Sequence, residues 1–253
     1  MPRIAVISDI HSNMHALCAV MEDYQCEQCT DVVCLGDVVG YNAYPQECVD
    51  AIRAIGCPVV KGNHDEEVCR MDQTRMNPIA RQAMEWTRKQ LNEESLTWLS
   101  RLPMQRIERS MFVMVHSSLD QPKAWNYILN SNDAVGHFAK QGRYQLSFHG
   151  HTHQPRVFTW DKRYCVEQNH HWIELNQTGQ TVVYLQPGLQ YFINVGSVGQ
   201  PRDGDPRACY AIYDTDAATV TLRRVEYKVE EAQQAILAYG LPAYLAERLA
   251  TGQ

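Results

Sequence analysis

The chain has no apolar run of 18 residues, so no segment reads as a membrane-spanning helix. It has no excess of basic side chains either: 23 Lys and Arg stand against 29 Asp and Glu, a formal charge of −6. That balance gives no uniform positive field, which argues against extended nucleic acid or an anionic membrane as the main partner and leaves room only for a local basic pocket. The residues before Asp9 hold an apolar stretch too short for a signal-peptide core. A cytoplasmic location is expected. Cys26-Glu-Gln-Cys29 has the spacing of half a zinc site, but no second Cys or His pair follows at finger spacing, and the nine cysteines are odd in number. Reduced, incidental thiols are expected. Internal repeats and low-complexity tracts are also missing.

The 253 residues are 45% hydrophobic and 21% charged, ordinary values for a globular chain, and the length suffices for one sizeable core. A single domain over 1–253 is expected. Segments 3–8, 31–35 and 57–61 are short β-branched apolar runs that read as buried strands. Between them, 13–21 and 45–55 carry apolar residues at helical spacing. This alternation argues for parallel strands with crossover helices, whose functional residues gather beyond the strands' carboxyl ends. Helix follows over 78–102, with a break at Asn92-Glu93-Glu94. Strands are expected at 111–115 and 145–149, with a polar loop and short helices over 121–140 between them. The segments 156–160, 170–175, 181–185, 190–195, 208–213 and 218–226 read as hairpin strands, and 229–251 as helix broken at Gly240-Leu-Pro242.

Side chains able to hold metal stand at the strand ends: Asp9 and His11 after the first, Asp37 after the second, Asn63 and His64 after the third. His116 follows the strand 111–115, and His151 and His153 follow 145–149. Alone, each such Asp reads as a turn former or helix cap. Together they have the chemistry of a two-metal site, whose carboxylate, amide and imidazole donors suit Mn²⁺, Fe²⁺ or Zn²⁺ better than Ca²⁺. In extended backbone the pairs Asp9/His11 and His151/His153 would each point to one side. Gly36, Gly62 and Gly150 precede candidate donors and permit tight turns.

Asp9-Ile-His11, Gly36-Asp37, Gly62-Asn63-His64-Asp65, the lone His116 and Gly150-His151-Thr-His153 together resemble the calcineurin-like metallophosphoesterases. The stretch from Asn194 to Ala208, with Gly196, Gly199 and Arg202, is similar to a signature of the small bacterial and archaeal phosphodiesterase-like branch. The resemblance implies an α/β (α+β) fold, a four-layer αββα sandwich of two stacked mixed β-sheets flanked by helices. It implies two divalent metal ions, Mn first, with Fe, Zn or Ni as alternatives. Asp9, His11 and His153 would hold one ion, Asn63, His116 and His151 the other, and Asp37 would bridge. The implied activity is dinuclear metal-dependent phosphohydrolysis, first a phosphodiesterase in which a hydroxide shared by the ions attacks phosphorus in line. A phosphomonoesterase or protein phosphatase, a dinucleoside polyphosphate hydrolase, and a non-catalytic scaffold on the same fold are the alternatives. His64 would be the catalytic residue, contacting a phosphate oxygen or protonating the leaving alkoxide, and Asn63, His64 and Arg202 would bind substrate.

Several residues keep two readings. Arg202 is a phosphate clamp or an ordinary turn arginine. Asn13 caps the first helix or touches phosphate, with the cap favoured. Asp65 reads as a surface or salt-bridge carboxylate, with tuning of a neighbour's pKa as the alternative, His149 as a histidine of the core or behind the ligands, and His15, His170 and His171 as surface residues. Trp125 and Tyr127 lie in a segment, 117–140, that caps the substrate or merely packs on itself. The aromatic block 156–190 reads as extra hairpins and, if exposed, as a surface for homo-oligomers or another partner. The expected partner is a small phosphoester substrate, with no extended nucleic acid and no membrane.

Overall fold

The apolar run at the start of the chain is buried from both sides. In the computed structural model, which describes residues 2–70, 77–168, 173–175 and 180–253, strand β1 is Arg3–Ile7. Ile4 and Val6 enter one core cluster and Ala5 and Ile7 another, as the period-two alternation of a strand requires. Helix α1 (Met14–Cys26) returns the chain to β2 (Asp31–Cys34), which pairs parallel with β1. Helix α2 (Pro45–Ile55) has proline in its first turn and ends on Gly56 in the left-handed region.

The expected strand at 57–61 is reduced to one parallel bridge between Cys34 and Val59. Pro58 has no N–H for a ladder, and from Gly62 the chain turns directly into α3 (Asn63–Cys69). That helix escaped the periodicity because its buried face, His64 to Val68, is mostly ionisable. Helices α4 (Pro78–Gln90) and α5 (Glu93–Arg101) part where expected, and the Asn92 side chain accepts the Ser95 N–H as the cap of α5.

The second half runs β3 (Gln105–Glu108), β4 (Phe112–Val115), a 3₁₀ turn at Pro122–Ala124, α6 (Ser131–Gln141), β5 (Leu146–His149), β6 (Arg156–Trp160), β7 (Cys165–Glu167), β8 (Ile173–Leu175), β9 (Thr181–Tyr184), β10 (Gln190–Asn194), β11 (Ala208–Asp214) and β12 (Thr219–Val225). Helices α7 (Val229–Ala238) and α8 (Ala243–Thr251) close the chain on either side of the expected break. Strands β3 and β7 lie at sheet edges, where solvent on one side removes the apolar pattern that would reveal them. The short helices expected over 121–140 are the 3₁₀ turn and the 11-residue α6, capped by Asn130.

Two six-stranded mixed sheets result, in the orders β2-β1-β11-β12-β9-β8 and β3-β4-β5-β10-β6-β7. Between them lies a shared core: Ile4, Val6, Val33, Ala211 and Val220 of the first face Phe112, Met114, Phe148, Tyr191 and Ile193 of the second. Helices α1 and α2 cover the outside of the first sheet, and α6 covers the outside of the second. This is the expected four-layer sandwich. Of the 156–190 block, β6–β7 extends one sheet and β8–β9 the other, with Tyr164 and Tyr184 exposed. His170, His171 and Trp172 lie outside the described residues. Among the described residues no helix is long and apolar enough to cross a membrane.

Two imidazoles are enclosed in the outer layer of the second sheet, stacked on Phe192 with ring centroids 3.5 Å (His137) and 3.9 Å (His149) away. His149 is thus a core residue, as expected. The His137 ring accepts the Leu119 N–H at 3.2 Å, so its other nitrogen donates to Ser147 Oγ at 2.7 Å, and burial lowers its pKa to about 3. A folded pKa below the ordinary 6.5 means that the unfolded chain takes up the proton first. The stability from this neutral ring is complete above 6.5 and drains as pH falls towards 3, by about 1.4 kcal/mol per pH unit. His137→Gln should therefore flatten the loss of urea resistance between pH 7 and pH 5. Parallel losses in variant and wild type would rule this out.

Candidate metal centre

The candidate donors come from loops at the carboxyl ends of the parallel strands β1, β2, β4 and β5, and these loops are bonded to one another. Asp9 N donates to Gly36 O, His11 N to Asp37 O, Gly150 N to His116 O, and Gly199 N to Asp9 O, all at 2.9–3.0 Å. The sequence reading placed Asp9/His11 and His151/His153 in extended backbone, and the structure does not. The strands end at Ile7 and His149, and Asp9, His11, Asp37, His151 and His153 all have φ between 47° and 67°. Left-handed backbone costs about 1 kcal/mol or more for each such residue and collects at functional sites. The paired side chains converge through these turns rather than through strand alternation. Two glycines make the approach possible: a Cβ at Gly62 would stand 2.0 Å from Asp37 Oδ1, and one at Gly150 2.1 Å from Asp9 Oδ2.

Three groups of ionisable donors, each spanning no more than 4.8 Å, occupy this floor: Asp9/His11/His153, His11/Asp37/His64 and Asp37/His116/His151. Asp37 belongs to two of them. Its Oδ1 accepts the His64 backbone N–H at 2.8 Å, while Oδ2 stands 3.5 Å from His11 Nε2 and 3.4 Å from His116 Nε2. Asp9 Oδ2 accepts the Ser8 hydroxyl at 2.7 Å and the His151 N–H at 3.0 Å, leaving Oδ1 facing His153 Nε2 at 3.3 Å.

The imidazoles reveal what the floor is built for. His11 Nδ1, His116 Nδ1, His153 Nδ1 and His151 Nε2 each meet a backbone carbonyl, of Val39, Leu35, Gln200 and Trp125, at 2.6–3.1 Å. A carbonyl only accepts, so those nitrogens carry the protons and the opposite nitrogens present lone pairs. His11 Nε2 and His153 Nε2 then face each other at 3.0 Å as opposed acceptors, while His116 Nε2 stands 3.1 Å from Asn63 Oδ1. Opposed lone pairs repel unless a cation lies among them. Imidazoles anchored through the far nitrogen, with buried carboxylates alongside, are what divalent transition ions require. The residues fit the group.

The pocket's charge is balanced by protons when no ion is present, with His116 as the ring that carries one. Burial alone would raise both carboxyls, but His153 and His116 hold Asp9 low, and His116 and His64 hold Asp37 well below the carboxylate range. Burial opposes charging His116, yet Asp37 and Asp9 push it up to about 9. Burial lowers His151 to about 3 and depresses His11 and His153. The pocket favours positive charge set among several donors.

His64 differs from the other four rings. It lies near His11 and Asp37, but among the described residues no carbonyl anchors it and its Nδ1 has no hydrogen-bond partner. Its ring is held between those of His11 and Tyr41, at 4.7 and 4.5 Å, and burial lowers its pKa to about 4 despite Asp37. Arg202 lines the same cavity of about 140 Å³. Its guanidinium donates to Gln200 Oε1 at 2.9 Å and lies 5.7 Å above the Tyr41 ring. Asn13 caps α1 and also donates to Gly199 O at 2.9 Å, tying the helix to the site. His15 is half-buried, 3.7 Å from Glu231, rather than a free surface residue.

Asp65 corrects its sequence reading. It is fully buried, and its carboxylate accepts the backbone N–H groups of Asp37, Val38 and Gly62 at 2.8–3.0 Å, pinning the loop that carries Asp37. Burial and the Asp37 charge raise its pKa to about 7. Tyr41, against His11 and His64, was also missed; the only sequence signal was its place after Gly40 in the Asp37 loop.

Two stacked mixed sheets that gather buried carboxylate, amide and imidazole donors at their strand ends define a metal-dependent hydrolase. Residues 2–218 match the calcineurin-like phosphoesterase superfamily domain, and the chain belongs to that family of metal-dependent phosphoester hydrolases. It is similar to the uncharacterized protein MJ0912 of Methanocaldococcus jannaschii, with 36% identity over 254 residues covering 99% of this chain and 98% of the other. A metallophosphoesterase from Sphaerobacter thermophilus superposes with a TM-score of 0.85 at 40% identity, covering 100% of this chain and 99% of that one. The hypothetical protein PH1004 from Pyrococcus horikoshii shares the fold, with a TM-score of 0.78 at 18% identity over 100% of this chain and 99% of its own.

Proposed function

We propose that the protein is a dinuclear phosphodiesterase. Asp9, His11 and His153 would hold one ion, Asn63, His116 and His151 the other, and Asp37 both. The observation that carries this reading is Asp37 Oδ2, placed between His11 Nε2 and His116 Nε2 at 3.5 and 3.4 Å. Two divalent ions there, Mn²⁺ first, would supply neutralisation of phosphoryl charge and an acidified water for attack at phosphorus. The chain's own residues do the rest. Arg202 orients a phosphoryl oxygen. His64, on the cavity wall, donates a hydrogen bond to phosphate or a proton to the departing alkoxide. Among the described residues Arg202 is the one arginine or lysine lining the cavity, a single side-chain contact for a phosphoryl oxygen. The small polar cavity supports a small substrate.

The test is hydrolysis of bis-p-nitrophenyl phosphate and p-nitrophenyl phosphate by chelator-stripped protein before and after reloading with Mn²⁺. Metal-dependent cleavage preferring the diester is expected. Preference for the monoester would make the protein a phosphatase. Two bound ions without turnover of either would leave a scaffold role.

A further inference from the structure

The cavity beside the donors measures about 140 Å³, less than half of the roughly 300 Å³ at which pockets begin to enclose drug-sized ligands. It has room for a phosphoryl group and little more, so the organic part of an ester must lie across the rim. On that rim stands Tyr127, 51% exposed. One face of its ring is stacked on His151, with centroids 4.4 Å apart and planes 17° from parallel.

The segment carrying this ring is fastened to the metal centre. Trp125 O accepts the His151 Nε2 proton at 2.7 Å, Asn126 O accepts the Ser117 hydroxyl at 2.5 Å, and the Trp125 ring meets His116 edge-on at 5.8 Å. Tyr41, the other aromatic ring in the cavity wall, is buried against His11, His64 and Arg202. An aromatic face held in place beside a phosphoryl-sized cavity loses little entropy when a flat group settles on it. We propose that Tyr127 is a stacking platform that selects phosphoesters whose organic group is planar and aromatic, of the nucleobase kind. The proposal rests on the phosphoester reading of the cavity and names the substrate class for it.

Adenosine 5′-monophosphate and ribose 5-phosphate carry the same sugar phosphate and differ in the base, so their ratio of affinities isolates the platform. Calorimetric titration of the Mn²⁺-loaded protein should show the nucleotide binding about tenfold tighter, within the range of a base on an aromatic side chain. Tyr127→Phe should keep that ratio. Tyr127→Leu should bring it close to one, with ribose 5-phosphate affinity and bound Mn²⁺ unchanged. Equal affinities in wild type, or a ratio that survives in Tyr127→Leu, would overturn the proposal. So would joint loss of both ligands and of metal in that variant, the mark of a ring that only steadies His151. If wild type bound neither compound yet hydrolysed bis-p-nitrophenyl phosphate, the platform would fall alone; if it did neither, the phosphoester reading would fall with it.

Discussion

Asp37→Asn is expected to lower turnover by about a thousandfold or more, the effect of losing several kcal/mol of metal-derived charge stabilisation. The amide has the carboxylate's shape, so its oxygen can still accept the His64 backbone N–H now held by Oδ1. Its NH₂ then takes the place of Oδ2, between His11 Nε2 and His116 Nε2. Those two nitrogens gain a hydrogen-bond donor and lose the anion that both ions would share. Bound metal measured on the purified variant should fall below two per chain, while its circular dichroism stays that of the wild type. Undiminished hydrolysis by rigorously purified Asp37→Asn protein would end the dinuclear assignment.

His64→Gln should behave differently, because the ring is not anchored as the donor imidazoles are. Metal content should be kept, and hydrolysis of esters with alkoxide leaving groups should drop by about a hundredfold to ten-thousandfold, the span of general acid catalysis. Esters of p-nitrophenol, whose anion departs without a proton, should lose far less. Without metal, burial lowers the His64 pKa to about 4; a phosphoester anion beside it favours the protonated form and bound cations oppose it, so as general acid it must be charged before the alkoxide leaves. Activity on alkyl esters should therefore decline as pH rises, and the decline should vanish in His64→Gln. Equal losses on both kinds of leaving group would leave the ring as a phosphate contact only.

Much of this site was readable in advance, for a physical reason. Parallel strands bury both faces, so Asp9, Asp37, His116 and His151 stand out against the apolar runs that precede them. The four-layer fold followed by resemblance from the same residues. What stayed hidden depends on partners remote in sequence. Asp65 looks like any surface acid until three backbone N–H groups close on it. The left-handed positions at Asp9, His11 and His153 are not glycines and have none beside them to announce the turn. Helix α3 has no apolar stripe, and the edge strands β3 and β7 bury too little to show a pattern.

The seam between the sheets also sets the order of assembly. Strand β1 is synthesised first, yet one of its two neighbours, β11, is among the last strands made, with Arg3 opposite Asp214. The donors Asp9 and His11 likewise wait for His153, and His11 meets it across 142 residues. Contacts of such separation form slowly, since their loop entropy is lost before they reward it. A chain that stops short of the β5 loop carries Asp9, His11, Asp37, Asn63 and His116 without His151 and His153. The candidate metal centre thus joins segments that only the completed topology brings together.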